Sequence, residues 1–250
     1  MHTSVIDHYS HPDVNVIYVK ESFKGPGVTD EMFKEFFKNV CACMQAGCDN
    51  IEECYCLETY GQNYENGLLK HEQLSSQKGV FECSRFCCCS ASCNNSIVQN
   101  GPSKNLLIQK AGNKGYGVFA GVYFPKGSFI SEYAGEIIGQ AEAQKRLGDP
   151  DCTKYLMLVR EHSKNTMIET YVDASKFGNI GRYLNHSCEP NCVVIPIRIG
   201  RVIPMLCFFT SRPVAKGEEL TYFYCPESSI HSNMRCYCGA QRCCKYLPSE

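Results

Sequence analysis

From about residue 104 the chain alternates short apolar runs with Gly, Pro and Lys breaks. Leu106-Leu107-Ile108, Tyr116-Gly117-Val118-Phe119, Ser128-Phe129-Ile130 and Glu136-Ile137-Ile138 each read as a short strand. Gln140 to Leu147 is the clearest helix, ended by Gly148 and Pro150. Further strands are predicted at 155–160, 167–173, 192–199, 202–210 and 219–223. Many short strands with so few helices predict a mainly β fold of small sheets. Residues 1–28 are polar and end in a Lys24-Gly25-Pro26-Gly27-Val28 turn. Thr29 or Asp30 then caps a short helix whose Phe33, Phe36 and Phe37 form a packing stripe. Residues 41–93 lack periodic apolar segments, so that region should be loop-rich and held by something other than hydrocarbon.

Composition supplies the holding agent. Nineteen of the 250 residues are cysteine. No basic start leads into an apolar run, so no secretory signal is expected, and no apolar stretch approaches the roughly 18 residues of a membrane span. Disulfides are disfavoured where thiols stay reduced, and an odd total argues against complete pairing. The spacing of Cys41, Cys43, Cys48, Cys54, Cys56, Cys83, Cys87, Cys89 and Cys93 instead suits zinc. Nine thiolates satisfy three tetrahedral ions when three of them bridge, which predicts a compact trinuclear cluster. Cys236, Cys238 and Cys243 lack a fourth ligand, and Cys188 is the candidate. Such closed sites are structural. Cys88, Cys152, Cys192, Cys207, Cys225 and Cys244 fall outside both patterns and read as packed or exposed thiols; Cys88 and Cys244 are the nearest substitutes as ligands.

The net charge is −1, and residues 41–72 carry Asp49, Glu52, Glu53, Glu58, Glu65 and Glu72 against Lys70. Thiolate metal sites deepen this acidity. A basic partner is favoured through steering. No dense Lys/Arg run is present to neutralise phosphates, so a zinc-finger nucleic-acid binder fits poorly and no direct nucleic-acid binding is expected.

Three further segments sit between the cysteine clusters: Glu132-Tyr133-Ala134-Gly135-Glu136, Gly178 through Cys188 (including Arg182-Tyr183-Leu184-Asn185-His186-Ser187), and Glu219-Leu220-Thr221-Tyr222-Phe223-Tyr224. In this order they resemble the SET-domain protein lysine methyltransferases of the class that combines pre-SET, SET and post-SET regions. The resemblance covers essentially 41–248, although Gly115-Tyr116-Gly117 alone would be weak. It implies an N-terminal segment over 1–40, a pre-SET zinc region over 41–100, a SET domain over 101–225 and a post-SET zinc region over 232–248. The implied fold is one of small curved sheets with a pseudoknot, the Asn185–His186 segment threading beneath the one holding Tyr224. S-adenosylmethionine would meet Lys114, Gly115 and Tyr116, with Tyr155, Arg182, Asn185 and His186 around its amino-acid and adenine ends.

The implied reaction is in-line attack of a lysine amine on the sulfonium methyl, with Tyr224 as main catalytic tyrosine and Tyr133 on the opposite wall. Tyr222 stands where the family carries Phe or Tyr; its hydroxyl implies mono- or dimethylation. The substrate would be a histone H3 tail or another basic peptide, lysine nine favoured over lysine thirty-six, in nuclear chromatin. A targeting partner is expected, because no chromodomain-, ankyrin- or bromodomain-like addition is visible. Tyr116 replaces the usual Trp, Phe119 a common Arg, and Phe223 an Asp. That Asp could pair with a cation such as Arg182, so another acceptor or solvent is expected near Arg182. Phe223 also motivates the alternative of a catalytically weak SET fold acting as a chromatin-binding scaffold.

Overall fold

The computed structural model describes residues 7–34, 40–43, 48, 50–75, 79–89, 93–148, 154–163, 166–224 and 231–248. Phe36, Phe37, Cys152 and Cys225 lie outside them. The apolar runs form three four-stranded sheets. One orders Asn185–His186, Glu219–Tyr222, Tyr116–Ala120 and Leu106–Lys110. A second orders Val80–Glu82, Cys192–Ile199, Met205–Thr210 and Phe129–Glu132. The third orders Leu156–Ser163, Thr166–Asp173, Glu136–Ile138 and Phe23–Lys24. The fold is mainly β, as expected.

All of Met205–Thr210 is buried, since it is an inner strand with packing on both faces. Its neighbours Phe208 and Phe209 feed separate clusters. Phe208 packs with Ile130, Tyr133 and Tyr222, and Phe209 with Tyr64, Phe129 and Ile197. Each fully buried ring contributes about 1.5–3 kcal/mol. This strand starts at Met205 rather than 202, because the chain bends before Pro204, which lacks an N–H for a ladder. The strands predicted at 155–160 and 167–173 are longer and form a hairpin, pairing Leu156 with Asp173 through to Ser163 with Thr166. The helix Gln140–Leu147 forms where expected. Its Arg146 holds it to the third sheet through Glu136 (2.5 Å) and Asp173 (2.7 Å).

Thr29 precedes a short helix, Asp30–Phe33, without a side-chain cap bond. The polar N-terminus also joins the fold. Phe23–Lys24 pairs in parallel with Glu136–Ile137, and Ile17–Tyr18 with Phe177–Gly178. Among its described residues the cysteine region carries the short helices Tyr55–Tyr60 and His71–Ser75 and brief strands. Leu57 is the one hydrocarbon side chain in its buried cluster among the described residues; the other members are cysteines. Buried Glu82 docks this region on its neighbours, accepting from Tyr64 Oη (2.7 Å), Ile97 N (2.9 Å) and Val98 N (3.0 Å).

Candidate active site and metal centres

Two segments distant in sequence cross at the centre. Asn185 and His186 pair in parallel with Thr221 and Tyr222. Ser187 N donates to Tyr222 O (3.0 Å), and Tyr224 N donates to His186 Nδ1 (3.3 Å). Asn191 clamps the crossing, donating to Glu219 O (2.8 Å) and accepting from Thr221 N (2.8 Å). Gly181 lets the motif pass the strand leading to Tyr133: a Cβ there would lie 2.3 Å from Glu132 O. Gly117 likewise makes room for Glu219 and Asn185, whose side-chain atoms a Cβ would meet at 2.7 and 3.0 Å.

Around the crossing opens a cleft of about 1170 Å³. It brings together all ten residues singled out for catalysis or cofactor: Lys114, Gly115, Tyr116, Tyr133, Tyr155, Arg182, Asn185, His186, Tyr222 and Tyr224. Tyr133 Oη donates to Tyr155 O at 2.6 Å. The Tyr222 and Tyr224 rings lie 4.8 Å apart. Phe208 backs this group, 4.8 Å from Tyr222 and edge-on to Tyr133 at 6.1 Å. Burial pushes the Tyr133, Tyr222 and Tyr224 phenols above their usual range, so all three stay protonated at neutral pH.

The other side of the cleft is cationic and amide-rich. Lys114 pairs with Glu219. Asn185 Nδ2 donates to Tyr116 O (3.0 Å) and to Glu219 Oε1 (2.9 Å). Burial, and then the Lys114 charge, push His186 down to about 4, leaving a neutral imidazole whose Nδ1 accepts from Tyr224. Phe223 packs edge-on against the His186 ring at 4.9 Å. Arg182 finds its acceptor in Asp13 (3.2 Å), donates through Nε to Ala174 O (3.2 Å), and lies 4.1 Å over the Tyr155 ring. Sequence reasoning missed Asp13, which lies in an unremarkable polar stretch. It also missed Tyr237, which lines the same cleft and was findable from its place between Cys236 and Cys238. An ammonium, a guanidinium, an amide and several aromatic rings together fit the carboxylate, adenine and sulfonium of S-adenosylmethionine.

Comparison with known proteins agrees with this geometry. A model of the SET domain matches residues 115–225, and one of the pre-SET motif matches residues 2–96. The histone-lysine N-methyltransferase SETMAR of Rattus norvegicus is 37% identical over 93% of this chain and 79% of its own length. The chain belongs to the SET-domain histone-lysine N-methyltransferases that carry a pre-SET region. The crystal structure of the methyltransferase domain of human SETMAR superposes with a TM-score of 0.80 at 33% identity, covering 96% of this chain and 91% of that one. KRYPTONITE, in a complex with mCHH DNA, H3(1-15) peptide and SAH, superposes with a TM-score of 0.76 at 27% identity; it covers 98% of this chain, which spans 50% of that one.

In the pre-SET region, three groups of four thiols share members: Cys41, Cys43, Cys48 and Cys54; Cys41, Cys48, Cys83 and Cys89; and Cys41, Cys56, Cys83 and Cys87. The shared thiols form a triangle of 3.5 Å (Cys41–Cys48), 3.6 Å (Cys48–Cys83) and 3.9 Å (Cys41–Cys83). Buried Cys93 lies against Cys48 and Cys83. Four sulfurs about 2.3 Å from one zinc sit about 3.8 Å apart, so this spacing fits the ion. Cys41, Cys48 and Cys83 are the thiols that these groups share. In the post-SET region, Cys188 joins Cys236, Cys238 and Cys243, with Cys188 and Cys236 3.9 Å apart. Cys88 and Cys244 are exposed and belong to none of these groups, while Cys192 and Cys207 are buried in the second sheet.

Proposed function

We propose that the enzyme uses S-adenosylmethionine to methylate a lysine of the histone H3 tail, lysine nine first and lysine thirty-six second, stopping at the mono- or dimethyl product. The observation that carries this reading is the single cleft in which Tyr133, Tyr222 and Tyr224 face Lys114, Arg182, Asn185 and His186. The H3 peptide bound to KRYPTONITE, whose complex also contains mCHH DNA, and the acidic balance of this chain support a basic peptide as substrate.

When bound, the cofactor supplies a methyl group on a sulfonium. The protein's part is to receive a neutral amine and align it. A free lysine titrates at about 10.4, and walls built from Tyr133 and Tyr222, backed by Phe208, disfavour the ammonium. Tyr155 O holds the Tyr133 hydroxyl, and Tyr224 is held by His186 at its backbone, so neither wall must rearrange during transfer. Alignment of this kind is worth about 7–11 kcal/mol at its ideal limit. The Tyr222 hydroxyl occupies room that further methyl groups would need. Three zinc ions in pre-SET and one in post-SET hold the frame, and the enzyme acts in nuclear chromatin, brought there by a targeting partner. The scaffold reading loses its motive, because Arg182 has Asp13 as acceptor and Phe223 packs on His186.

The test is a mass-spectrometric assay of zinc-loaded protein with labelled S-adenosylmethionine and core histones, beside Tyr224→Phe. Methyl on one H3 lysine, lost in the variant, is the expected result. Folded protein that binds no cofactor would restore the scaffold reading.

A further inference from the structure

We infer that Asp13 is a positioning residue of the active site, holding Arg182 and through it the wall that carries Tyr133; this rests on the cofactor reading above. The Arg182 side chain is 2% exposed and that of Asp13 is 32%. A guanidinium so buried needs a counter-charge, and Asp13 is its ion-pair partner among the described residues.

The loop presenting Asp13 is fixed at both ends. Before it, the buried Asp7 carboxylate accepts from Ile180 N (2.9 Å), Tyr9 N (3.2 Å) and His11 Nε2 (2.7 Å). After it, Tyr18 Oη donates to Asp13 O (2.9 Å) and meets Tyr183 Oη at 2.5 Å. The His11 ring stacks on Tyr18 at 3.6 Å. Both ends therefore grip the Ile180–Tyr183 turn, which contains Arg182 itself. From Arg182 the contacts continue to the Tyr155 ring (4.1 Å), and Tyr155 O accepts from Tyr133 Oη (2.6 Å). Asp13 also lines the cleft. A segment outside the catalytic sheets thus sets the position of a cofactor-facing cation and, one contact further, of a catalytic hydroxyl.

The experiment compares full-length, zinc-loaded wild type, Asp13→Asn and Asp13→Glu. It reads S-adenosylhomocysteine affinity by calorimetry, kcat and KM for S-adenosylmethionine, and the melting temperature. Asp13→Asn keeps the shape and removes the charge. It should weaken binding and raise KM about tenfold, and lower kcat about threefold, less than a fully buried pair would show because Asp13 is partly exposed. Asp13→Glu should return binding to within about twofold of wild type. A melting temperature that falls while affinity per folded molecule stays unchanged would mean Asp13 only stabilises the fold, and overturns the inference. Wild type that binds no S-adenosylhomocysteine would instead overturn the cofactor reading, and this inference with it.

Discussion

Glu132 closes the strand that leads into Tyr133, and its carboxylate is buried against Ser22: Oε1 accepts from Ser22 N at 3.2 Å, while Oε2 has no hydrogen-bond partner among the described residues. Burial pushes its pKa from 4.5 up to about 7. The folded state therefore holds the proton more tightly than the unfolded chain. Stability contributed by this group is complete below about 4.5 and is lost as pH rises toward 7. The gap corresponds to about 3 kcal/mol by pH 8.5 and about 1 kcal/mol at pH 5.5. Glu132→Gln is neutral throughout and should escape the penalty. Urea titration of zinc-saturated wild type and variant at both pH values is the assay. The variant's advantage should grow by about 2 kcal/mol from pH 5.5 to 8.5. The zinc thiolates titrate alike in both proteins, so the difference isolates Glu132. A pH-independent difference would refute the reasoning.

Tyr222→Phe should raise the product by at least one methyl state, read by mass spectrometry of the H3 peptide; an unchanged distribution would remove Tyr222 from the role given it. Cys188→Ser should cost one zinc ion by elemental analysis and weaken S-adenosylhomocysteine binding about tenfold or more, because the post-SET segment that lines the cleft loses its anchor. Retained zinc would assign the fourth ligand elsewhere. Phe208→Ala should destabilise by about 3–5 kcal/mol in denaturant titration. It should also broaden the product distribution, since both Tyr133 and Tyr222 rest on that ring. A cost below about 1 kcal/mol would mean the site collapses around the gap.

The helix Gln140–Leu147 and the strand Cys192–Ile199 were legible to the residue, because their limits rest on local signals such as Gly148 and on a long apolar run. The strands Ile17–Tyr18 and Phe23–Lys24 were not. Two residues carry no period, and these strands exist only because Phe177–Gly178 and Glu136–Ile137 offer open edges.

Cysteine states its chemistry through residue type and spacing, so the chain alone pointed to thiolate metal sites and a mainly β fold, while the motifs' resemblance to the SET-domain methyltransferases implied the ten residues that meet in one cleft. Filling three tetrahedral sites with nine cysteines calls for three shared thiols, and the short folded distances among Cys41, Cys48 and Cys83 place these three together. The pairing of Asp13 with Arg182 lay equally out of reach. The two residues are 169 positions apart. Their attraction is expressed only after Asp7 and Tyr18 bring the N-terminal loop against the Ile180–Tyr183 turn. Local chemistry is encoded by short-range pattern; partners separated by long stretches of chain are chosen by packing.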